Sequence, residues 1–67
     1  MSKADEREQA VRDSCRILRA MLDEFGEASL GECAGESEDQ VGESWVNARA
    51  RLTEFEMWAC RMIALPD

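Results

Sequence analysis

Histidine is missing from the chain, and its three cysteines, Cys15, Cys33 and Cys60, stand too far apart to form the short paired spacings of zinc sites. No metal is therefore expected, and no cofactor-binding motif stands in for one. An odd cysteine count cannot close completely into disulfides, and the first residues, Met-Ser-Lys-Ala-Asp-Glu-Arg, are polar with no apolar stretch of the kind an export signal carries. Reduced thiols and a cytoplasmic location are expected. No run of about 18 apolar residues occurs, so no membrane span is expected either. The last absence is the most specific. Between Ala20 and Ala48 there is not one Lys, Arg or His, yet eight carboxylates stand there: Asp23, Glu24, Glu27, Glu32, Glu36, Glu38, Asp39 and Glu43.

That gap sets the charge of the molecule. Residues 1–19 balance at +1 and residues 49–67 at 0, so the net charge of −7 comes from the middle. A surface of that sign repels nucleic acid and anionic lipid, and direct nucleic-acid contact is not expected. Disorder is not expected either, because the apolar residues, 45% of the chain, fall into periodic sets. A single unit of 67 residues buries only about 60% of its unfolded surface when it folds alone. Chains this short usually rely on disulfides, a metal or association. With the first two set aside, a second copy or a partner is expected.

Ser2-Lys3-Ala4-Asp5 has the form of a capping box, with Asp5 and Glu6 at the positive end of the helix that follows. Val11, Cys15, Leu18, Leu22 and Phe25 then repeat with spacing 4, 3, 4, 3, and Ala10, Ser14, Ile17 and Met21 repeat it one residue earlier. An apolar face two rows wide suits a helix with two neighbours, as in a bundle. Gly26 is the expected helix stop. Residues 26–36 hold three of the four glycines and show no period, which marks a connector. Ser37-Glu38-Asp39-Gln40 repeats the capping-box form, and Val41, Trp45, Ala48, Leu52, Phe55, Ala59 and Met62 continue at helical spacing until Pro66. The reading is helix 1 over about 3–25, a connector at 26–37 and helix 2 over about 38–65, folded back as one antiparallel hairpin.

The last turns are apolar all round, from Met57 to Leu65 with only Arg61 intervening. One neighbouring helix cannot cover such a surface. We therefore expect an all-α fold in which the hairpin dimerises into a four-helix bundle, with Trp58, Met62, Ile63 and Leu65 engaged in self-association or in docking a client. Cys15 and Cys60 lie on the apolar faces and read as core residues, and Cys33 reads as an exposed thiol. A hairpin turning near residue 32 sets Cys60 about 15 Å along the axis from Cys15, beyond disulfide reach.

Catalysis requires a nucleophile with a base, or a metal with ligands. Glu24-Phe25-Gly26-Glu27 and Glu36-Ser37-Glu38-Asp39 resemble the paired magnesium motifs of the helical MazG-type nucleotide pyrophosphatases, whose carboxylates stand on inner helix faces. Here Gly26 interrupts the first pair and the second straddles a helix start, so convergence is not implied. The Glu-x-x-His motif of di-iron bundles is excluded by the lack of histidine. Residues 32–43 lack the third-position acid and sixth-position glycine of an EF-hand. The chain is not expected to be an enzyme.

Arg51-Leu52-Thr53-Glu54 and Met57, in a long helix ending at Pro66, are similar to part of the Hha family of small helical regulators, over barely a quarter of the chain. That family's basic surface has no counterpart here. In size, charge and style the chain resembles the acidic inhibitors that phages and mobile elements direct against nucleic-acid-handling defence systems, anti-CRISPR proteins among them. The resemblance implies a non-catalytic protein, acting in the host cytoplasm if phage-encoded. Glu32, Glu36, Glu38, Asp39 and Glu43 would then occupy a basic, nucleic-acid-binding surface of a larger protein by electrostatic competition. The alternative is a small co-chaperone or adaptor, like the hairpin co-chaperones of type III secretion, holding a client helix in an apolar groove.

Overall fold

A computed structural model describes residues 2–33, 35 and 37–66. It contains two helices, α1 (Lys3–Glu32) and α2 (Ser37–Ala64), packed against each other as a hairpin. The chain is a slab one layer thick, with Cα extents of 52 × 16 × 6 Å. Among the described residues no helix is long and apolar enough to cross a membrane.

The start of α1 follows from its first residues. The Ser2 hydroxyl accepts the Asp5 amide at 3.1 Å, and Asp5 and Glu6 sit where the unpaired amides leave partial positive charge. Its end differs from the reading above. The helix runs through Gly26 to Glu32, where the Cys33 amide donates to the Ser29 carbonyl and the Cys33 thiol to the Leu30 carbonyl. Gly26 is buried inside the helix because the indole of Trp45 lies against its backbone, in the space a Cβ would need. Its glycine character serves close approach and not a turn. Gly35 turns the chain, at φ 64, in the left-handed region open to glycine. The Gly35 carbonyl then accepts the Glu38 amide at 3.2 Å, and Ser37 becomes the first residue of α2 instead of its cap.

Moving the turn towards the C-terminus also changes the register. Glu56 lies against Arg12 and Arg19, and Trp45 against Asp23 and Gly26. Cys60 is therefore about one helical turn from the level of Cys15, not 15 Å away. The two buried, free thiols are near enough for the charge of one to affect the other.

The contact between the helices is a narrow stripe. On α1 it follows Ala4, Val11, Cys15, Arg19, Leu22, Gly26 and Leu30, and on α2 it follows Val41, Trp45, Ala48, Leu52, Glu56, Ala59 and Ile63. Only Cys15, Gly26 and Cys60 become fully buried among the described residues. Several residues of the expected seams stand outside the stripe: Leu18 is 48% exposed, Phe25 57%, Phe55 58% and Met62 65%, and the second row through Ile17 and Met21 is exposed as well. A step of three residues turns only 300°, so Leu18, Phe25, Phe55 and Met62 each lie about 60° to one side of Cys15, Leu22, Leu52 and Ala59, and the 3.5-residue average carries later members farther to that side.

At about 100° per residue the drift is to one side. With Cys15 and Leu52 placed in the contact, Leu18, Met21 and Phe25 of α1 and Phe55, Trp58 and Met62 of α2 fall on the same flat side of the slab. Arg12, Arg19 and Asp23 fall on the other side, with Arg49 and Glu56. The hairpin thus has an apolar face and a charged face.

Candidate functional site

On the charged face Glu56 bridges two arginines of α1, with Oε1 2.9 Å from Arg19 Nη2 and Oε2 3.4 Å from Arg12 Nη1. Nearer the turn, Asp23 Oδ1 accepts the Trp45 indole N–H at 3.1 Å and lies 3.4 Å from Arg49 Nε. These four contacts join the helices in one register. Burial pushes the Cys15 thiol above its ordinary range and the Glu56 carboxylate adds to this, while Arg19 opposes it. The Arg19–Glu56 pair is the least exposed of the ion pairs among the described residues. Glu56→Ala is expected to lower unfolding free energy in urea titration by about 1–2 kcal/mol, the range of a partly exposed charge-assisted contact whose loss leaves arginines without a partner. An unchanged midpoint would show that the pair does not hold the register.

The carboxylates nearer the turn behave differently. Glu24, Glu27, Glu32, Glu38, Asp39 and Glu43 are all exposed. None lies within ion-pair distance of a cation among the described residues. Helix physics accounts for only part of the set. Glu38 and Asp39 occupy the first turn of α2, where a negative charge is stabilised, but the last turn of α1, which carries Glu32, has no basic residue to offset the carbonyl end. A carboxylate there is destabilising by a few tenths of a kcal/mol or more.

The four described members of the expected five-residue cluster, Glu32, Glu38, Asp39 and Glu43, do not share one edge of the hairpin. Asp39 and Glu43, four residues apart, share the outer edge of α2. Glu38 turns towards α1, Glu32 projects beside the apolar face, and Glu36 lies outside the described residues. Glu24 and Glu27, which the sequence placed among the eight central carboxylates but not in the five-residue cluster, take the outer edge of α1 and belong to the same acidic end. Their i, i+3 spacing is the signal that puts them on one edge. They point away from α2 and do not converge with Glu38 and Asp39. Among the described residues no group of three or more acidic or cysteine side chains is placed to hold a metal ion.

The apolar face has relief. At the turn end it sinks into an open groove of about 490 Å³, lined by Leu22, Phe25, Val41 and Trp45 and edged by Ser29 and Ser44. At the opposite end it rises, because Trp58, Met62 and Leu65 project at 57%, 65% and 69% exposure. The Arg61 guanidinium lies 5.5 Å from the centre of the Trp58 ring. Ile63, grouped with these by sequence, is half-buried between the helices. The groove was not foreseen, since it exists only once Trp45 is set over Gly26. No family model, curated protein or solved structure matches the chain.

Proposed function

We propose that this protein is a non-catalytic, acidic binding protein that associates through its apolar face as a four-helix homodimer. It uses the carboxylates of its turn end to occupy a basic surface on a larger protein, one that itself handles nucleic acid. The observation that carries this reading is the contrast in pairing. Among the described residues Asp13, Asp23, Glu54 and Glu56 each have an arginine, whereas Glu24, Glu27, Glu32, Glu38, Asp39 and Glu43 have none. Asp5, Glu6 and Glu8 are unpaired too but lie among the five basic residues of positions 1–19, while no cation stands between 20 and 48 and Glu32 sits where the helix end disfavours it. Charges kept unpaired at a cost to folding are available to a partner. The mechanism is steric and electrostatic exclusion of the nucleic acid from that surface, the mode of phage anti-defence inhibitors.

The test begins with capture and identification of the partner from host cells, and then titrates the purified pair. Changing Glu27, Asp39 and Glu43 together to lysine is expected to weaken binding by on the order of 100-fold, at about 1 kcal/mol for each of three exposed contacts. Raising salt from 50 to 300 mM should weaken the parent complex in the same direction. Binding that ignores both changes overturns the reading. The second reading, an adaptor holding a client helix, is favoured by the open groove. It predicts binding that is insensitive to salt and is lost with Trp58, Met62 and Leu65.

A further inference from the structure

We propose that the groove at the turn end is filled by the Trp58–Leu65 segment of a second copy, the two hairpins lying face to face with their turns at opposite ends. This rests on the dimer of the reading above and adds its direction and its contact.

Three observations point the same way. The apolar face, 52 Å by 16 Å, offers on the order of 800 Å² per copy, the share each partner contributes to a stable standard interface. Its relief is complementary to itself only when reversed. One end is hollow, edged by serines, and the other carries Trp58, Met62 and Leu65 standing out of the surface. Stacking turn on turn would set hollow on hollow and leave a void larger than the 490 Å³ of one groove, against the close packing of protein interiors. Charge selects the same direction. Turn on turn brings two acidic ends together, whereas the reversed arrangement stacks α1 on its own copy and carries Lys3 and Arg7, on the apolar side of the open end, over Glu32 of the second copy. The edges bearing Glu24, Glu27, Asp39 and Glu43 stay outside the interface, so dimer and partner sites do not compete.

Cys33 provides the test in the unaltered chain, since it is half-buried, less exposed than its sequence position suggested, but more accessible than the buried Cys15 and Cys60. With a nitroxide on each Cys33, electron double resonance is expected to give a separation of about 45 Å, near the length of α1 at 1.5 Å per residue. A separation under about 20 Å, the turn-on-turn value, overturns the direction and leaves the dimer standing. A folded monomer at tens of micromolar by sedimentation overturns both, and frees the groove for a client. A second measurement uses Ser44→Trp, an exposed position at the groove edge that leaves the hairpin contact intact. Filling the groove from within should raise the dimer dissociation constant at least tenfold with helicity at high concentration unchanged, and an unchanged constant overturns the proposal.

Discussion

Gly26→Ala is expected to lower the stability of this protein, although the same change inside an exposed helix gains about 1 kcal/mol. The reason is local. A Cβ at position 26 would overlap Cδ2, Cε2 and Cε3 of Trp45, atoms in the middle of the indole and not at the tip of a flexible chain. The ring cannot swing aside freely, because its N–H is bonded to Asp23, which also meets Arg49. Overpacking of this kind costs about 1–3 kcal/mol, so the net loss after the helix gain of about 1 kcal/mol is up to about 2 kcal/mol. In a chain of this size each kcal/mol moves the thermal midpoint by about 4–8 °C. The decisive comparison is made in a Trp45→Ala background. There the obstruction is gone, and Gly26→Ala should stabilise by about 1 kcal/mol. A reversal of sign between the two backgrounds, followed by circular dichroism, is an outcome that general helix propensity cannot give. If Gly26→Ala raises the midpoint with Trp45 present, the proposed fit of ring against backbone is wrong.

The same glycine shows which parts of the molecule could be read from sequence. The hairpin was legible because it depends on local chemistry: the Ser2 cap, the apolar period and the loss of period over residues 26–36 are properties of short windows. The end of α1 was not, because glycine ends helices and also admits a neighbouring ring, and only Trp45, 19 residues on, decides between the two. The apolar seams were legible in composition but not in angle. In a spacing of 4, 3, 4, 3 each three-residue step turns only 300°, so Phe55 and Met62 fall about 60° to the open side of Leu52 and Ala59, and Glu56, four residues after Leu52, takes the contact. The acidic end was legible in charge but not in shape, since neighbours such as Glu38 and Asp39 point about 100° apart on a helix. The groove depends on the register of one helix against the other, which no short window contains.

Leu18→Glu is expected to have the largest effect of any single substitution on the apolar face. Leu18 lies at the middle of α1 and is 48% exposed in the single hairpin. Leucine and glutamate have nearly equal helix propensity, so α1 itself should tolerate the change. The consequence arises between copies. In a face-to-face dimer the middle of α1 meets the middle of its counterpart, and the substitution brings two carboxylates together in a region that closes to water. Removing an unpaired ion from water costs several kcal/mol even after relaxation, and here two ions of like sign are involved. A loss of about 4 kcal/mol corresponds to roughly a thousandfold weaker dimer. In the proposed dimer association and folding would be linked, because only Cys15, Gly26 and Cys60 are fully buried among the described residues of the single hairpin and its large apolar side chains are mostly exposed. The parent protein should therefore melt at temperatures that rise with its concentration, as an association-stabilised fold does. Leu18→Glu should abolish that dependence and lose most of its helical signal at micromolar concentration. Leu18→Met, which keeps the volume and the apolar character, should retain both the dimer and the signal. If the glutamate variant sediments as a dimer with an unaltered melting profile, the apolar face is not where the copies meet, and the bundle must be rejected along with the direction proposed for it.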